Sequence, residues 1–335
     1  RYNRGEAQVV WTRLVSDLET PVSAYLKVAH GKPMSSLLES VEGGATRGRY
    51  SIIGLEPDIV WRANGEHAEI NRTPVSKPKT FKREKSPALT SLRALLAESR
   101  IDLPEELPPM SAGVFGHMGY DTVRLIEKLP DVPPDDLGVP DMALMRPTIV
   151  IVFDGVKDIM SVVTPVRPSP RQSADEALAA AHARLQTVVH ALQAPLPPQA
   201  PPATTDSALP EPVSNTTQAE FVHMVERAKD YIRAGDAFQI VLSQRFSMPF
   251  KLSPFALYRS LRRLNPSRRL PKRWGWNATI SRFMATRWLR SSSMSSRDSK
   301  TGPTPSIFWL RPSRRRHWVR ANRQQRWGLA RRCPT

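Results

Sequence analysis

The chain has 335 residues, a length that allows about two domains with sizeable cores. Its formal net charge of +18 comes almost entirely from residues 268–335, which contain 18 basic residues and one acidic residue, against 31 basic and 30 acidic residues in 1–267. A single cysteine excludes an internal disulfide framework, and the lack of an apolar run of about 18 residues excludes a membrane span, so we expect a cytoplasmic protein with no membrane partner.

The N-terminal part has the residue pattern of a sheet followed by a helix. The segments VVWTRLV (9–15) and VSAYLKVA (22–29) carry β-branched and aromatic residues with partial alternation, and both are predicted to be strands. In PDIVWRANGEHAEI, Asn64-Gly65 separates two such runs and predicts a two-residue hairpin turn. A helix is predicted at 86–100, with Ser86 as its N-cap. Its apolar face is expected to comprise Leu89, Leu92, Leu95 and Leu96.

The middle of the chain predicts a strand, a long helix and a linker. PTIVIVFDG (147–155) is a short, fully apolar strand that ends in a turn. Ser173 and Glu176 form a capping box that opens a helix. The buried stripe of that helix is predicted at Leu178, Ala181, Leu185, Val188 and Leu192. Residues 194–213 contain seven prolines, which exclude a helix or a sheet interior and indicate an extended linker.

A helix, a strand and another helix are predicted after the linker. Thr217 and Glu220 form a second capping box, and Gly235 stands where a C-cap glycine belongs. The apolar stripe of this helix is Phe221, Val225, Ala228 and Ile232. AFQIVLSQRF (237–246) alternates as a strand does, with Phe238, Ile240 and Leu242 on one face and Gln239, Val241, Ser243 and Arg245 on the other. The last helix is predicted to begin at Ser253-Pro254 and to end near Asn265-Pro266.

The short motifs of the sequence do not indicate which reaction, if any, the protein catalyses. GVFGHMG (113–119) spaces its three glycines by three, which does not match the dinucleotide-binding fingerprint and indicates a tight, packed segment. The seven histidines have no spacing typical of a metal site. No nucleophile triad can be argued from any spacing. Local motifs therefore predict an α+β protein and nothing more specific.

Longer stretches of the sequence carry a specific resemblance to a known protein family. MSSLLESVEGGATRGRYSIIGLEPD (34–58) resembles the N-terminal signature of the anthranilate synthase component I family, and the blocks at 113–131 and 137–154 resemble its next segments. YIRAGDAFQIVLSQRFSMPF (231–250) and SPFALYRSLRRLNPS (253–267) resemble the opening of the chorismate-binding domain of that family. The resemblance covers residues 1–267 in order and stops at Ser267.

The resemblance implies a division of the α+β chain into four parts. Residues 1–194 correspond to an N-terminal domain of mixed sheet and helix, 195–215 to a proline-rich linker, and 216–267 to the incomplete start of a chorismate-binding domain. Residues 268–335 form a basic tail without Glu or Tyr. We expect this tail to be disordered, because it cannot bury enough apolar surface and its charges repel one another.

The family activity implied by the resemblance is the first step of tryptophan biosynthesis. Chorismate and ammonia give anthranilate and pyruvate, Mg²⁺ is required, a glutamine amidotransferase subunit (component II) supplies the ammonia, and tryptophan inhibits by feedback. Aminodeoxychorismate synthase component I, which also uses ammonia, is the alternative enzyme. A tryptophan-binding remnant without catalysis is the alternative of a different class.

The resemblance also implies a tryptophan site. Its candidate residues are Leu38, Glu39, Ser40, Asn265 and Pro266. A ligand ammonium needs an acceptor such as a carboxylate or a hydroxyl, and an indole needs an apolar wall. The tetrapeptide alone favours a simpler interpretation, in which Leu37 and Leu38 are buried strand residues and Ser40 caps a turn. After Ser267 the family continues with Pro and apolar residues, whereas this chain has arginines, so half of the pocket is not matched.

Arg47 and Arg49 are candidates to neutralise a ligand carboxylate, but the sequence favours an exposed basic loop. Gln239 is the candidate catalytic residue. In related enzymes that add water to chorismate, a lysine stands at the matching position as a general base, whereas ammonia is a neutral nucleophile and needs orientation more than a base. A glutamine there favours ammonia chemistry. A strand glutamine that bonds to its neighbours is the plain alternative.

The predicted activity of the chain depends on the nature of the tail, residues 268–335. The glutamates that bind Mg²⁺ in the family, its catalytic histidine and its chorismate-binding residues have no counterpart in the chain. An arginine-rich arm with interspersed tryptophans could bind single-stranded nucleic acid. We favour a frameshift, because out-of-frame codons of a GC-rich gene give Arg, Ser, Pro and Trp and the change falls within a motif. The sequence therefore predicts a truncated, inactive enzyme chain with no specific nucleic-acid partner.

Overall fold

The computed structural model describes residues 1–264 apart from 30, 42–46, 130–131, 133, 136, 199–210 and 250–252. The chain divides into two compact units. The larger unit comprises the described residues of 1–125 and 139–198 together with a helix at Pro254–Leu264, and the smaller unit includes residues 211–249. The tail, 268–335, lies outside the described residues.

The larger unit contains a sheet whose eight described strands all pair antiparallel. The strands are β1 (Gln8–Val15), β2 (Ser36–Val41), β3 (Arg47–Asn64), β4 (His67–Asn71), β5 (Lys82–Arg83), β6 (Phe115–Met118), β7 (Met142–Asp154) and β8 (Ile159–Val166). Their order is β1-β8-β7-β3-β4-β5, with β2 also paired to β3 and β6 to β7. The predicted apolar strand at 147–155 is therefore part of the longer β7.

Strands β3 and β7 form the centre of the sheet. Ile53 lies opposite Ile151, and the pairing shifts register between Pro57 and Ile59. Both isoleucines are fully buried, and burying a side chain of this size contributes about 1.5–3 kcal/mol. The predicted β3–β4 hairpin is confirmed. Its turn residues are Gly65-Glu66, one position later than expected, because Asn64 still pairs with His67.

Helices pack against the sheet in two clusters. The helices of the larger unit are α1 (Pro21–Ala29), α2 (Ala88–Glu98), α3 (Ala174–Gln193) and α5 (Pro254–Leu264), and α4 (Gln218–Arg233) belongs to the smaller unit. Side chains of α1, α3 and α5 form one core cluster with β2, β3, β7 and β8, and those of α2 belong to a separate cluster. An antiparallel sheet with helices packed against it confirms the predicted α+β class. None of the described helices combines the length and apolar character that a membrane span requires.

The predicted strand at 22–29 is wrong, because this segment is helix α1. Pro21 occupies its first position, and the Thr20 hydroxyl accepts a hydrogen bond from the Ser23 amide at 3.1 Å. Ala24 and Val28, one turn apart, are both buried against the sheet. Helical spacing of the apolar residues therefore outweighed the strand propensity of Val and Tyr.

Three predicted details of the other helices are wrong. Ser86 is not the N-cap of α2, since Pro87 precedes the first helical residue and no side chain caps it. Leu96 is exposed, and Ala88, Ser91, Leu92 and Leu95 form the buried face. The capping box at Ser173 and Glu176 is confirmed, but Leu178 is exposed and Ala177 takes its place in the buried stripe of α3.

In the smaller unit the Thr217–Glu220 capping box of α4 is confirmed, and Gly235 follows the helix with a φ of 75°. The predicted strand at 237–246 is wrong except at its end. Only β10 (Phe246–Ser247) pairs, with β9 (Val213–Ser214), and residues 237–245 do not join a described strand. A strand forms only where a partner offers backbone hydrogen bonds, which alternation of side chains does not guarantee.

Candidate functional site

Strand β2 carries the candidate residues Leu38 and Glu39 on opposite faces of the sheet. Leu38 pairs with Ile52 of β3 and packs in a cluster with Phe115. Glu39 points the other way, to the face on which α5 packs, because successive side chains of a strand alternate. The ladder becomes irregular between Glu39 and Val41, at the position of Ser40. The structure therefore does not bring the side chains of Leu38 and Glu39 together.

Helix α5 covers the Glu39 carboxylate. Arg262 donates from Nε to Oε2 at 2.6 Å and from Nη2 to Oε1 at 2.8 Å. The Tyr258 hydroxyl donates a further hydrogen bond to Oε2. Only 13% of the Glu39 side chain and 29% of the Arg262 side chain are exposed. A bidentate arginine–carboxylate contact is directional, and its charge-assisted hydrogen bonds are stronger than those between neutral groups.

The sequence of α5 explains why these donors reach Glu39. Pro254 fits the first helical position, and the Ser253 hydroxyl accepts from the Ala256 amide at 3.2 Å. Phe255, Tyr258 and Arg262 follow at spacings of three and four residues and so lie on one helix face. The Phe255 ring stacks on Tyr25 of α1, with centroids 4.6 Å apart, and on Tyr258 at 5.6 Å. These rings pack helix α5 against α1.

Charge and burial set the protonation of the donors. Burial raises the pKa of Tyr258, and the negative charge of Glu39 raises it further, so the phenol remains a donor at neutral pH. The hydrogen bonds to Glu39 raise the pKa of Arg262. Glu39 Oε2 accepts two hydrogen bonds and Oε1 one from the described residues, so Oε1 keeps a further acceptor position. A ligand cation could use that position.

Arg49 binds a carboxylate of this chain. It donates from Nε to Asp154 Oδ1 at 3.0 Å and from Nη2 to Oδ2 at 2.7 Å. The Arg49 hydrogen bond lowers the pKa of Asp154, against the opposing effect of burial. Arg49 therefore lies in strand β3 with a partner, and not in an exposed loop. The side chains of Arg47 and Ser40 lie outside the described part of the structure.

A second arginine cluster was not predicted from the sequence. Arg146 interrupts the apolar strand β7, has a buried side chain, and bonds to Asp58 at 2.8 and 2.7 Å and to Glu98 at 3.2 Å. Arg72 also binds Glu98, at 2.7 and 2.8 Å. Burial and the charge of Arg146 lower the pKa of Arg167 to about 10. The one signal in the sequence was a charged residue in an apolar strand, which indicates a buried ion pair.

A shallow pocket of about 210 Å³ lies between β1 and α3. Its lining residues are Thr12, His182, Leu185, Gln186, Val189 and His190. None of the predicted site residues contributes to it. The pocket therefore gives no support to the chemistry that the sequence suggests.

Comparison with known proteins decides the family. The family model described as chorismate binding enzyme matches residues 47–270. The chain belongs to the chorismate-binding enzyme family. The matched range contains Arg49, Tyr258 and Arg262, and it starts after Glu39.

Several relatives of this chorismate-binding chain bear one name. Anthranilate synthase component 1 of Cereibacter sphaeroides is 47% identical over 270 residues, covering 79% of this chain and 53% of the relative. That of Thermus thermophilus is 40% identical over 262 residues, covering 76% and 50%. A solved structure of anthranilate synthase component I from Streptococcus pneumoniae matches with a TM-score of 0.49 at 27% identity, covering 76% of this chain and 53% of that one. The chain spans about half the length of these relatives.

The described residues do not fit the Mg²⁺ ion that the resemblance implies. Mg²⁺ is held by oxygen ligands, mainly carboxylates. No three acidic, histidine or cysteine side chains converge within the described ranges. The carboxylates of Glu39, Asp58, Glu98 and Asp154 are each bound by arginine. We derive no catalytic step through a metal from these residues.

Of the remaining candidate residues of the chorismate-binding chain, the structure describes only Gln239. Gln239 is exposed, within segment 237–245 of the smaller unit, which belongs to no described helix or strand. Asn265 and Pro266 lie outside the described residues. Tyr258 and Arg262, which sequence reasoning missed, are the residues that contact Glu39. Their helical spacing was visible in the sequence, but their contact with β2 was not.

Proposed function

We propose that the chain is derived from anthranilate synthase component I and retains part of its tryptophan site at Glu39. Two features support this proposal: the names shared by the relatives, and a mostly buried carboxylate within the block that resembles the family signature. The ligand ammonium binds the open acceptor position of Glu39 Oε1. Because Arg262 already offsets the carboxylate charge, and because Leu38 faces away, the affinity is weak.

The proposed whole-protein activity is the conversion of chorismate and ammonia to anthranilate and pyruvate, a carbon–oxygen lyase reaction that needs Mg²⁺. In that activity a glutamine amidotransferase subunit supplies ammonia and tryptophan inhibits by feedback. This chain does not itself perform the reaction. A dicarboxylate substrate needs a cationic or metal clamp, a proton donor for its leaving group and a positioned nucleophile. In the described residues, Gln239 is exposed and the arginines of the ion pairs are occupied by carboxylates of the chain.

The assignment to anthranilate synthase rests on the relatives' names, and no observation favours aminodeoxychorismate synthase. Tryptophan binding is tested by saturation-transfer NMR on the full chain, which detects weak ligands. We expect transfer to the indole protons with a dissociation constant of about 1 mM, equivalent to roughly 4 kcal/mol. Glu39→Gln should abolish it. Glu98→Gln, which changes another arginine-bound carboxylate of the same unit, should leave it unchanged. Equal effects of the two substitutions would refute a site at Glu39.

A further inference from the structure

The chain contains one Asn-Gly pair, Asn64-Gly65, at the hairpin turn between β3 and β4. In such a pair the glycine nitrogen can attack the side-chain amide of the asparagine, because glycine has no Cβ to shield that nitrogen. Asn64 and Gly65 are both exposed, so water reaches them. Gly65 also has a φ of 50°, which favours glycine at this position. The turn therefore holds a reactive amide that the proposed function does not use.

Asp141 contacts both reacting groups of this pair. Its carboxylate Oδ2 accepts a hydrogen bond from the Gly65 amide at 2.8 Å, and its own backbone amide donates to Asn64 Oδ1 at 3.3 Å. The first contact places a base on the proton of the attacking nitrogen. The second contact places a donor on the oxygen that gains negative charge when the amide carbon is attacked. Asp141 therefore assists both the nucleophile and the electrophile of a ring closure.

The sheet holds Asp141 in this position. Asp141 precedes β7, where Met142 pairs with Ala63 of β3, so it lies opposite Asn64. Its carbonyl accepts a hydrogen bond from the Gly119 amide at 2.6 Å, directly after β6. Contacts with the segments on both sides fix the orientation of Asp141, so the base and the donor need little rearrangement before reaction.

The Asp154-Gly155 pair shows the opposite arrangement. Aspartate before glycine can close the same ring, but Arg49 binds both carboxylate oxygens of Asp154, at 3.0 and 2.7 Å. The Gly155 amide donates to the Arg49 carbonyl at 2.8 Å, and a backbone carbonyl is not a base. Asp154 is also buried. Of these two pairs, only Asn64-Gly65 is both open to water and contacted by a carboxylate at the attacking nitrogen.

We propose that Asn64 is a self-modification site, at which Asp141 promotes deamidation. Asp141 accepts the proton of the Gly65 nitrogen, and that nitrogen forms a bond to Asn64 Cγ. The bond from Cγ to Nδ2 then breaks, the proton leaves with Nδ2 as ammonia, and a succinimide ring remains. Water opens the ring at Cγ to give aspartate, or at the main-chain carbonyl carbon of residue 64 to give isoaspartate. The proposal does not depend on tryptophan binding or on chorismate chemistry.

The modification changes the turn in which it occurs. Both products place a new negative charge beside Asp141, and like charges this close repel each other. Isoaspartate also adds an extra carbon atom to the backbone between β3 and β4. Deamidation therefore weakens the contact between Asp141 and the hairpin turn.

Incubation of the full 335-residue chain at neutral pH, followed by proteolysis and mass spectrometry, measures the rate at which aspartate and isoaspartate appear at position 64. The reference is a synthetic peptide of residues 59–69, which contains the Asn-Gly pair without Asp141. We expect the folded chain to react about tenfold faster than the peptide or more, because a positioned base contributes about 10²–10⁴-fold. A smaller ratio, or a folded chain slower than the peptide, would show that Asp141 only holds the turn and would overturn the proposal.

Two substitutions separate the base from the turn. Asp141→Asn removes the carboxylate and keeps a side-chain oxygen that can accept the Gly65 hydrogen bond. Glu66→Gln removes an exposed carboxylate next to Gly65 that does not accept this bond. We expect Asp141→Asn to slow deamidation of Asn64 by about tenfold or more, and Glu66→Gln to leave the rate unchanged. Equal rates in the two folded variants would overturn the proposal, and if circular dichroism shows that Asp141→Asn unfolds the chain, the comparison with the peptide decides.

Discussion

Arg262 donates two hydrogen bonds to the Glu39 carboxylate across a sequence separation of 223 residues. This contact fastens helix α5, near the end of the described chain, to strand β2 near its beginning. It also occupies the carboxylate that the family resemblance assigns to a ligand ammonium. The proposed ligand binding and the attachment of helix α5 therefore share one side chain, and both can be tested by changing Glu39 or Arg262.

A double-mutant cycle with Glu39→Gln and Arg262→Gln should reveal a coupling of about 1–2 kcal/mol in the free energy of unfolding, because a mostly buried, two-point charged hydrogen bond is lost. Urea unfolding followed by circular dichroism measures it. The control is the pair Arg62 and Glu69, whose side chains are 32% and 39% exposed. That pair should couple by less than about 1 kcal/mol. Equal coupling in both cycles would contradict a special role for the α5 contact.

The raised pKa of Tyr258 should make the free energy of unfolding fall at alkaline pH. Its folded-state pKa is raised by burial and by Glu39, so above about pH 10, the ordinary tyrosine value, the unfolded chain releases this proton and the folded chain keeps it. The stabilisation is complete below that pH and falls as pH rises. Tyr258→Phe keeps the ring against Phe255 and removes the ionising group. The urea midpoint of the variant should therefore fall less between pH 9 and 11 than that of the unchanged chain, and parallel curves would be the contrary result.

A side chain at Gly116, in the GVFGHMG segment, should clash with the neighbouring strand. A Cβ at this position would clash with the carbonyl oxygen of Ala143 and stand 2.8 Å from the Leu144 Cα, both on the neighbouring strand β7. Gly116→Ala should lower the free energy of unfolding by about 1–3 kcal/mol, as overpacking does. Gly155→Ala is the control, since its nearest neighbour would be 3.5 Å away. That control should stay within about 0.5 kcal/mol of the parent chain. Similar losses for both variants would contradict a tight approach at β6.

Local chemistry explains what the sequence predicted well. The two capping boxes place a hydroxyl and a carboxylate three residues apart, and both predicted helix starts are confirmed because the interaction closes within one turn. The hairpin at Asn64-Gly65 is similarly local. Helix α1 was mistaken for a strand because Val and Tyr favour strands, whereas its burial follows helical spacing. The strand at 237–246 failed because alternation indicates two faces but supplies no pairing partner.

The partners of the candidate site residue Glu39 could not be predicted, because they are distant from it in the sequence. Glu39 was predicted from its resemblance to a family block, but its partners Tyr258 and Arg262 lie 219 and 223 residues away. No local pattern indicates which helix packs over which strand at such separations. Alternation along β2 could have shown that Leu38 and Glu39 face opposite ways. Periodicity therefore predicts which residues share a face, and only the fold shows which faces meet.

We propose that this chain descends from anthranilate synthase component I but does not catalyse its reaction. The direct measurement is anthranilate fluorescence from the full chain with saturating chorismate, ammonia and Mg²⁺. Ammonia bypasses any amidotransferase partner, so the assay isolates the chain itself, and the Cereibacter sphaeroides relative serves as the positive control. We predict no anthranilate above the uncatalysed background. Turnover that survives deletion of residues 268–335 would contradict the account.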